Sequence, residues 1–178
     1  MSFWRHARAV LLLPTMVTVV IPAVIVWWDG ADVELVPGLL GGLLIAAGIS
    51  VVVWTVKLFV SVGRGTLAPW DPTSRLVVRG PYRHVRNPMI TGVACIVAGE
   101  AALLGSWPVL ILLALFAATN TIYMPLVEEP GLRRRFGADY EVYRANVPRW
   151  LPRLRPWNGP PTAAPSAEPG RQSPPLSF

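Results

Sequence analysis

The chain has 178 residues, 53% of them hydrophobic and only 15% charged, with a mean hydropathy of +0.46. A soluble domain carries roughly a quarter of charged residues, so much of the apolar surface is expected to face lipid rather than a protein core. Sixteen basic against ten acidic residues give a net charge of +6, and the single cysteine, Cys95, with no CxxC or Cys/His cluster, excludes an intrachain disulfide and predicts no metal.

A spanning helix needs roughly 20 mostly apolar residues to cross a hydrocarbon core about 30 Å thick. Four stretches qualify, at about 9–28, 38–62, 88–105 and 108–127. The first is too long for a removed signal peptide and no small-residue cleavage site follows Trp27 and Trp28, so it is expected to remain. Arg5 and Arg8 precede it, Arg64, Arg75, Arg79, Arg83 and Arg86 lie between the second and third stretches, and eight Arg follow the fourth. Asp29, Asp32 and Glu34 fill the first external turn, and no basic residue lies there or in the turn at 105–108. The positive-inside rule then puts both termini and the middle loop in the cytoplasm. Trp4, Trp27, Trp28, Trp70, Trp107 and Trp150 fall near span ends, as an aromatic belt places them. Topology thus accounts for most of the Arg excess, and with no RNA-recognition, zinc-finger or helix-turn-helix pattern a nucleic-acid partner is not expected.

Small residues recur every four positions at Gly38, Gly42, Ala46 and Ser50 in the second span and at Thr91, Cys95 and Gly99 in the third, predicting the faces on which these helices approach. Lys57, near the cytoplasmic end of the second span, can extend its stem to the interface. Pro14 and Pro22 are expected to kink the first span. Glu100 and Asn120 are intramembrane polar residues that pairing between helices can absorb.

Beyond the fourth span, Leu132, Phe136, Tyr140, Tyr143 and Val147 form an apolar stripe at helical spacing, with Arg133, Arg134, Arg135 and Arg144 on the other faces. This predicts an amphipathic helix over about 131–147 that lies on the cytoplasmic leaflet or docks under the bundle. Residues 157–178 are mostly Pro, Ala, Ser and Gly and are expected to be a disordered tail, leaving 1–156 as one domain. The fold expected is therefore all-α, an integral membrane bundle of four transmembrane helices with a cytoplasmic amphipathic helix at its C-terminal end.

Two segments carry chemistry. The first is GPYRHVRNPMITG, Gly80 to Gly92, at the mouth of the third span. Asn87 and Pro88 read simply as an N-cap and first helical residue. Arg79, Arg83, His84 and Arg86, crowded there with Tyr82, add positive charge to the helix dipole and make a local anion site. Contact with lipid phosphate accounts equally for Arg79 and Arg83. The second segment is Glu128 and Glu129 at the end of the fourth span, followed by PGLRRRFGADYEVYRANVPRWLPR. These acids can simply start the next helix and pair with Arg133. The hairpin at 105–108 sets both cytoplasmic ends side by side, so the Arg cluster is expected to face the Glu pair. Such a site suits a ligand that is both carboxylated and cationic and bears ribose hydroxyls, as S-adenosylmethionine does.

GPYRHVRNP, a hairpin, and EEPGLRRRFGADYEVYRANVPR, in that order and spacing, resemble the isoprenylcysteine carboxyl methyltransferase and phospholipid methyltransferase superfamily of integral membrane enzymes, over about Leu76 to Pro152. The resemblance implies S-adenosylmethionine as cofactor, with Leu76, Val77, Gly80, Tyr82, Arg86, Asn87, Pro88, Met89, Ile90, Glu128 and Glu129 around it. Arg86 is then expected to hold the methionine carboxylate, and Glu128 or Glu129 to accept from the ribose hydroxyls or α-amino group. Gly80 and Gly92 are expected to allow close backbone approach. The prenylcysteine branch has His at position 87, Tyr at position 90 and an Arg near position 124, where this chain has Asn87, Ile90 and Met124. The RNP form is that of bacterial and phospholipid-type members, which points away from a prenylcysteine substrate and toward a bacterial inner membrane.

The implied function is methyl transfer from S-adenosylmethionine to a membrane-soluble lipid, isoprenoid or lipid-linked acceptor at the cytoplasmic face. The protein mainly positions and desolvates the reactants. A carboxylate or free amine needs no general base, whereas a phenol or protonated amine leaves Tyr82, His84 or a glutamate to take the proton. For His84 a headgroup contact competes with catalysis. The rival class is a non-enzymatic membrane scaffold or accessory subunit whose Arg loops bind anionic headgroups. Nothing in the sequence fixes the oligomeric state.

Overall fold

The computed structural model describes residues 14–58, 61 and 76–159, and among them every regular element is helical, with no strand. The start of the first span expected from residue 9, the end of the second expected at 62, and the tail from 160 lie outside the described residues. The four helical runs comprise α1 (Met16–Asp29), α2 (Leu35–Leu58), α3 (Pro88–Leu104), and one long run, Trp107–Asn146, made of α4 (Trp107–Tyr123) and α5 (Glu129–Asn146). A short 3-10 turn, Gly80–Arg83, precedes α3. Two runs are long and apolar enough to cross a membrane, Leu35–Leu58 and Trp107–Asn146, while Met16–Asp29 and Pro88–Leu104 are shorter apolar helices.

Two prolines reshape this pattern. In both α1 and the α4–α5 run, one wide turn, Met16–Val20 and Met124–Glu128, sits just ahead of an Xaa-Pro step, Ile21–Pro22 and Glu129–Pro130. A proline ring crowds the carbonyl four residues back, and slipping the ladder by one residue relieves that crowding. Ile21 N–H accordingly reaches Met16 O, and Glu129 N–H reaches Met124 O. The second wide turn carries α4 into α5 without a break, so the amphipathic helix is not the separate element expected from about residue 131. Its interruption comes later, at Gly137, whose φ of 51° and ψ of −127° leave the helical region. Beyond the kink the stripe is buried as read from sequence: Tyr140, Tyr143 and Val147 form a core with Leu76, flanked by Val78, Leu132, Phe136 and Trp157.

α2 and α3 make the tightest contact, which includes Gly38 and Gly99 as expected but otherwise uses other residues. Gly42, Ala46 and Ser50 are exposed; Gly38, Gly41, Gly48 and Thr55 are the buried positions. A Cβ on Gly41 would stand 2.5 Å from Gly99 O, and one on Gly48 would stand 2.6 Å from Gly92 O, so the helices meet backbone to backbone. On α3 the pairing residues are Gly92 and Gly99, seven apart, rather than Thr91 and Cys95, which are half-buried. A seven-residue repeat keeps contact along a pair of helices that coil about each other, whereas a four-residue repeat drifts off the seam. At the opposite end Gly105 closes α3 in a left-handed conformation, φ 59°, and Asp32 N–H donates to Leu104 O at 2.9 Å. The acidic turn and the tip of the α3–α4 hairpin therefore lie together, at the far end of the molecule from the Arg-rich segments. Faces turned away from the bundle are bare hydrocarbon: Leu39, Leu43 and Leu115 are each more than 60% exposed.

Candidate functional site

Gly80 fixes how the RHVRNP segment leaves the bundle. Its φ is +55°, and an added Cβ would meet Leu58 Cδ1 and the Trp54 ring at 3.0 Å, so only glycine can both turn here and lie against α2. Gly92 does allow a close backbone approach, and the backbone that approaches is that of α2 at Gly48. Asn87 does occupy the N-cap and Pro88 the first position of α3, but the Asn87 side chain makes no capping bond. Instead Thr91 N–H and Thr91 Oγ1 both donate to Asn87 O, each at 3.1 Å. Pro88 is buried, and Met89 and Ile90 are half-buried on the first turn.

The Arg cluster and the Glu pair do meet, through one glutamate. Arg86 Nη1 donates to Glu129 Oε1 at 2.9 Å, bridging 43 residues of sequence. Arg149 Nε donates to the same oxygen at 2.7 Å, and Arg144 Nε lies 3.6 Å from Oε2. Glu129 is buried, with its side chain 7% exposed, and the wide turn before it places it inward while Glu128 remains half-buried. Arg133 pairs with Glu141, Nε to Oε1 at 2.7 Å, on the exposed side, and not with the Glu pair as the simpler reading held. One buried carboxylate thus answers three guanidinium groups, and Arg144 is shared with Glu141, Nη1 to Oε2 at 3.5 Å, so that two carboxylates, Glu129 and Glu141, stand among the four guanidinium groups of Arg86, Arg133, Arg144 and Arg149. Arg86 Nε is buried without a hydrogen-bond partner. Beside it a shallow cavity of about 360 Å³ is lined by Arg86, Glu141, Arg144 and Ala145.

Arg144 and Arg149 were missed in the sequence as site residues. Arg144 carried a signal: it follows Tyr140 by four positions, at the edge of the buried stripe, yet was assigned to a polar face. Arg149 carried none, because it reaches Glu129 from an irregular strap, residues 147–157, that folds back under the mouth of α3. Arg86 N–H donates to Pro148 O at 2.9 Å, Arg153 N–H to His84 O at 3.0 Å and Trp157 N–H to Arg83 O at 2.9 Å. Arg83 Nε donates to Trp157 O at 2.8 Å, and His84 Nδ1 donates to Arg153 O at 2.7 Å, which places a proton on Nδ1 because a carbonyl only accepts. Nδ1 of His84 is therefore committed to tying down the strap, which leaves Nε2 as the acceptor nitrogen of the neutral ring. Trp157 packs 5.9 Å from the Tyr143 ring, so the ordered chain runs past the boundary expected at residue 156.

The remaining candidates are packing groups. Leu76 and Val77 are buried, Leu76 in the core below α5. Tyr82 is buried and its carbonyl accepts from Tyr143 Oη at 2.8 Å. Burial pushes the Tyr82 and Tyr143 phenols far above the ordinary tyrosine range, and Tyr140 is raised by burial and then by the Glu129 carboxylate, partly offset by Arg86 and Arg149. A phenol so raised stays protonated at neutral pH, which disfavours Tyr82 as a general base. Among the described residues no group of three or more His, Cys, Asp or Glu could hold a metal ion.

No curated protein and no solved structure matches the chain. A family model for phospholipid methyltransferases does, over residues 36–139. That span is more than half of the chain and contains α2, α3, α4, the RHVRNP segment and both glutamates, while Arg144, Arg149 and the strap lie beyond it. With the two motifs in order and Arg86 meeting Glu129 across the hairpin, the chain belongs to the phospholipid methyltransferase family, within the superfamily that also holds the isoprenylcysteine carboxyl methyltransferases.

Proposed function

We propose that this protein transfers a methyl group from S-adenosylmethionine to a lipid-like acceptor at the cytoplasmic edge of a membrane, from a four-span bundle with both termini in the cytoplasm. One observation carries the reading: the two motif segments converge on a buried Arg86–Glu129 pair beside an open cavity, with uncompensated positive charge. The topology is supported by the charge at the two ends, Asp29, Asp32 and Glu34 at one and Arg83, Arg86, Arg144 and Arg149 at the other.

The residues fit the donor. Its methionine carboxylate suits the excess charge of Arg86, Arg144 and Arg149, and Arg86 Nε is a buried donor in want of an acceptor. Glu129 already accepts from Arg86 and Arg149, so its role is to hold these guanidinium groups in place. Glu128, half-buried beside it, is then the acid that accepts from ribose hydroxyls or the α-amino group. The bound donor supplies an electrophilic methyl on a sulfonium; the chain supplies position, charge balance and a site shielded by the core around Tyr140 and Tyr143. With Tyr82 held neutral, His84, whose Nδ1 is fixed on Arg153 O and whose Nε2 is the acceptor nitrogen of the neutral ring, is the side chain left to take a proton where the acceptor must lose one; a carboxylate or free amine needs none.

Calorimetry on detergent-purified protein is expected to detect S-adenosylmethionine and its demethylated product, and membranes given radiolabelled donor are expected to yield a labelled lipid. No donor binding by folded protein would overturn the proposal and leave the headgroup-binding scaffold as the better account.

A further inference from the structure

The strap has an outer side that neither the site nor the core uses. Leu151 is 81% and Leu154 is 99% exposed, whereas Val147 and Trp157 at its ends are packed inward. Arg149, Arg153 and Arg155 alternate with these leucines, and no acidic residue occurs from Val147 to Gly159. Pro148, Pro152 and Pro156 recur every four residues, which bars a helix and also removes three N–H groups that an irregular segment would otherwise leave unpaired in an apolar setting. Two more N–H groups, of Arg153 and Trp157, are taken by the His84 and Arg83 carbonyls. Those carbonyls lie four and five residues ahead of Pro88, where the apolar α3 begins. The exposed leucines are therefore tethered at the level where the bundle enters its apolar stretch.

We propose that the strap is an interfacial anchor: Leu151 and Leu154 enter the edge of an anionic lipid leaflet while Arg155 meets the headgroup phosphates; Arg153, half-buried, keeps its Nη1 on Asn146 O and holds the strap. Charge complementarity selects lipid over a second copy of this chain, because a second copy would present the same basic, acid-free strap. Continuity selects it as well, since Arg149 ties the strap to Glu129, which closely follows Leu126 and Val127, 70% and 51% exposed. The same strap carries Arg149 to Glu129, so a leaflet that holds it in place also holds one wall of the Arg86 cavity. The assignment rests on the membrane embedding proposed above, not on methyl transfer.

A nitroxide at Leu154→Cys in a Cys95→Ala background reports depth, with Leu43→Cys on the exposed face of α2 as the reference for embedding. In nanodiscs of phosphatidylcholine mixed with phosphatidylglycerol, label 154 is expected to collide with oxygen more than with a water-soluble nickel chelate. Arg155→Glu is expected to shift the strap toward water by at least about fivefold, the factor given by one basic residue at an anionic surface. Chelate access at 154 in every disc, with label 43 shielded, would overturn the anchor alone; chelate access at both would overturn the embedding with it. Shielding of 154 that grows with two chains per disc and ignores lipid charge would assign the surface to a second copy and overturn the proposal. The unsubstituted chain gives an independent measure: trypsin cleavage at Arg153–Leu154, scaled to a soluble peptide substrate, is expected to slow in the anionic discs, and equal rates in neutral and anionic discs would overturn it.

Discussion

The α2–α3 pair and the Arg-rich head beneath it are specified in opposite ways. Along α2 and α3 the fold depends on atoms that are absent: Gly41 faces Gly99 and Gly48 faces Gly92, and any side chain there meets a backbone carbonyl. In the head it depends on groups that are present together: Glu129 is buried because Arg86, Arg149 and Arg144 surround it. The apolar pair thus tolerates deletion of side chains and fails on addition, while the head tolerates bulk at its rim and fails on deletion of a charge. The difference follows from solvent. In the membrane embedding proposed above there is no hydrophobic drive for α2 and α3 to associate, so close van der Waals approach must supply the contact. At the rim, buried charge is tolerable only with its partners in place.

Deleting the charge of Glu129 gives the largest expected effect. Glu129→Gln leaves Arg86 and Arg149 buried or half-buried without a counter-ion, and breaking such a pair costs about 3 to 5 kcal/mol. Thermal denaturation of the head in detergent is expected to show that loss, and donor affinity is expected to fall with it. Glu128→Gln should lower donor affinity roughly tenfold to a hundredfold, the scale of one charged hydrogen bond, with little loss of stability. Equal damage from both substitutions would erase the division of roles between the two acids.

The next effect tests the other half of the comparison. Gly48→Ala and Gly99→Ala each add one methyl at 2.6 Å from a carbonyl oxygen of the facing helix, so α2 and α3 must separate. Overpacking of this kind costs about 1 to 3 kcal/mol. Gly42→Ala, where nothing stands within 4 Å, is the matched control and should be neutral or slightly stabilising through helix propensity. Denaturation in mild detergent that ranked Gly42→Ala with Gly48→Ala would return the contact to the four-residue face.

That contrast also explains what the sequence could disclose. Helix positions, the hairpin, the amphipathic stripe and the meeting of RHVRNP with the glutamates were legible because each rests on local periodicity or on the order of elements. Which glycines pair was not, since both the four- and the seven-residue spacing are present in α2 and only the antiparallel partner decides between them. The wide turn at Met124–Glu128 was hidden for a similar reason: Pro130 announces a distortion but not whether the helix ends or slips by one residue. The slip is what sends Glu129 inward and leaves Glu128 at the edge. The strap carries no periodicity in the sequence, because its order comes from backbone bonds to Arg83, His84 and Arg86 that no side-chain pattern encodes.

High pH offers a milder probe of the head. Tyr82, Tyr140 and Tyr143 are all raised, chiefly by burial, so the folded head keeps these phenols neutral while the unfolded chain ionises at about pH 10. Their contribution is complete below that value and is lost as pH rises above it. Absorbance near the tyrosinate band should therefore show these three phenols titrating together, as the head opens. Independent, ordinary titration of the three would mean that the head is open to water.

The smallest effect is expected at Arg133, and it bounds how far the charged network extends. Arg133 pairs with Glu141 at 2.7 Å, shorter than the Arg86–Glu129 contact, so distance alone would rank it above the buried pair. Exposure reverses the ranking: these two side chains are 45% and 50% exposed, against 11% and 7%. In water such a pair gains little after screening and the loss of side-chain freedom, typically about 0 to 1 kcal/mol. Arg133→Lys should therefore change the denaturation midpoint little, lose even that difference at high salt, and leave donor affinity unchanged. Arg86→Lys, which gives up planar, multi-donor contact in a buried setting, should lower donor affinity about tenfold or more. If the two substitutions weakened donor binding equally, Glu141 would have to transmit charge to the cavity it lines, and the head would be one coupled network rather than a buried hub with a solvated rim.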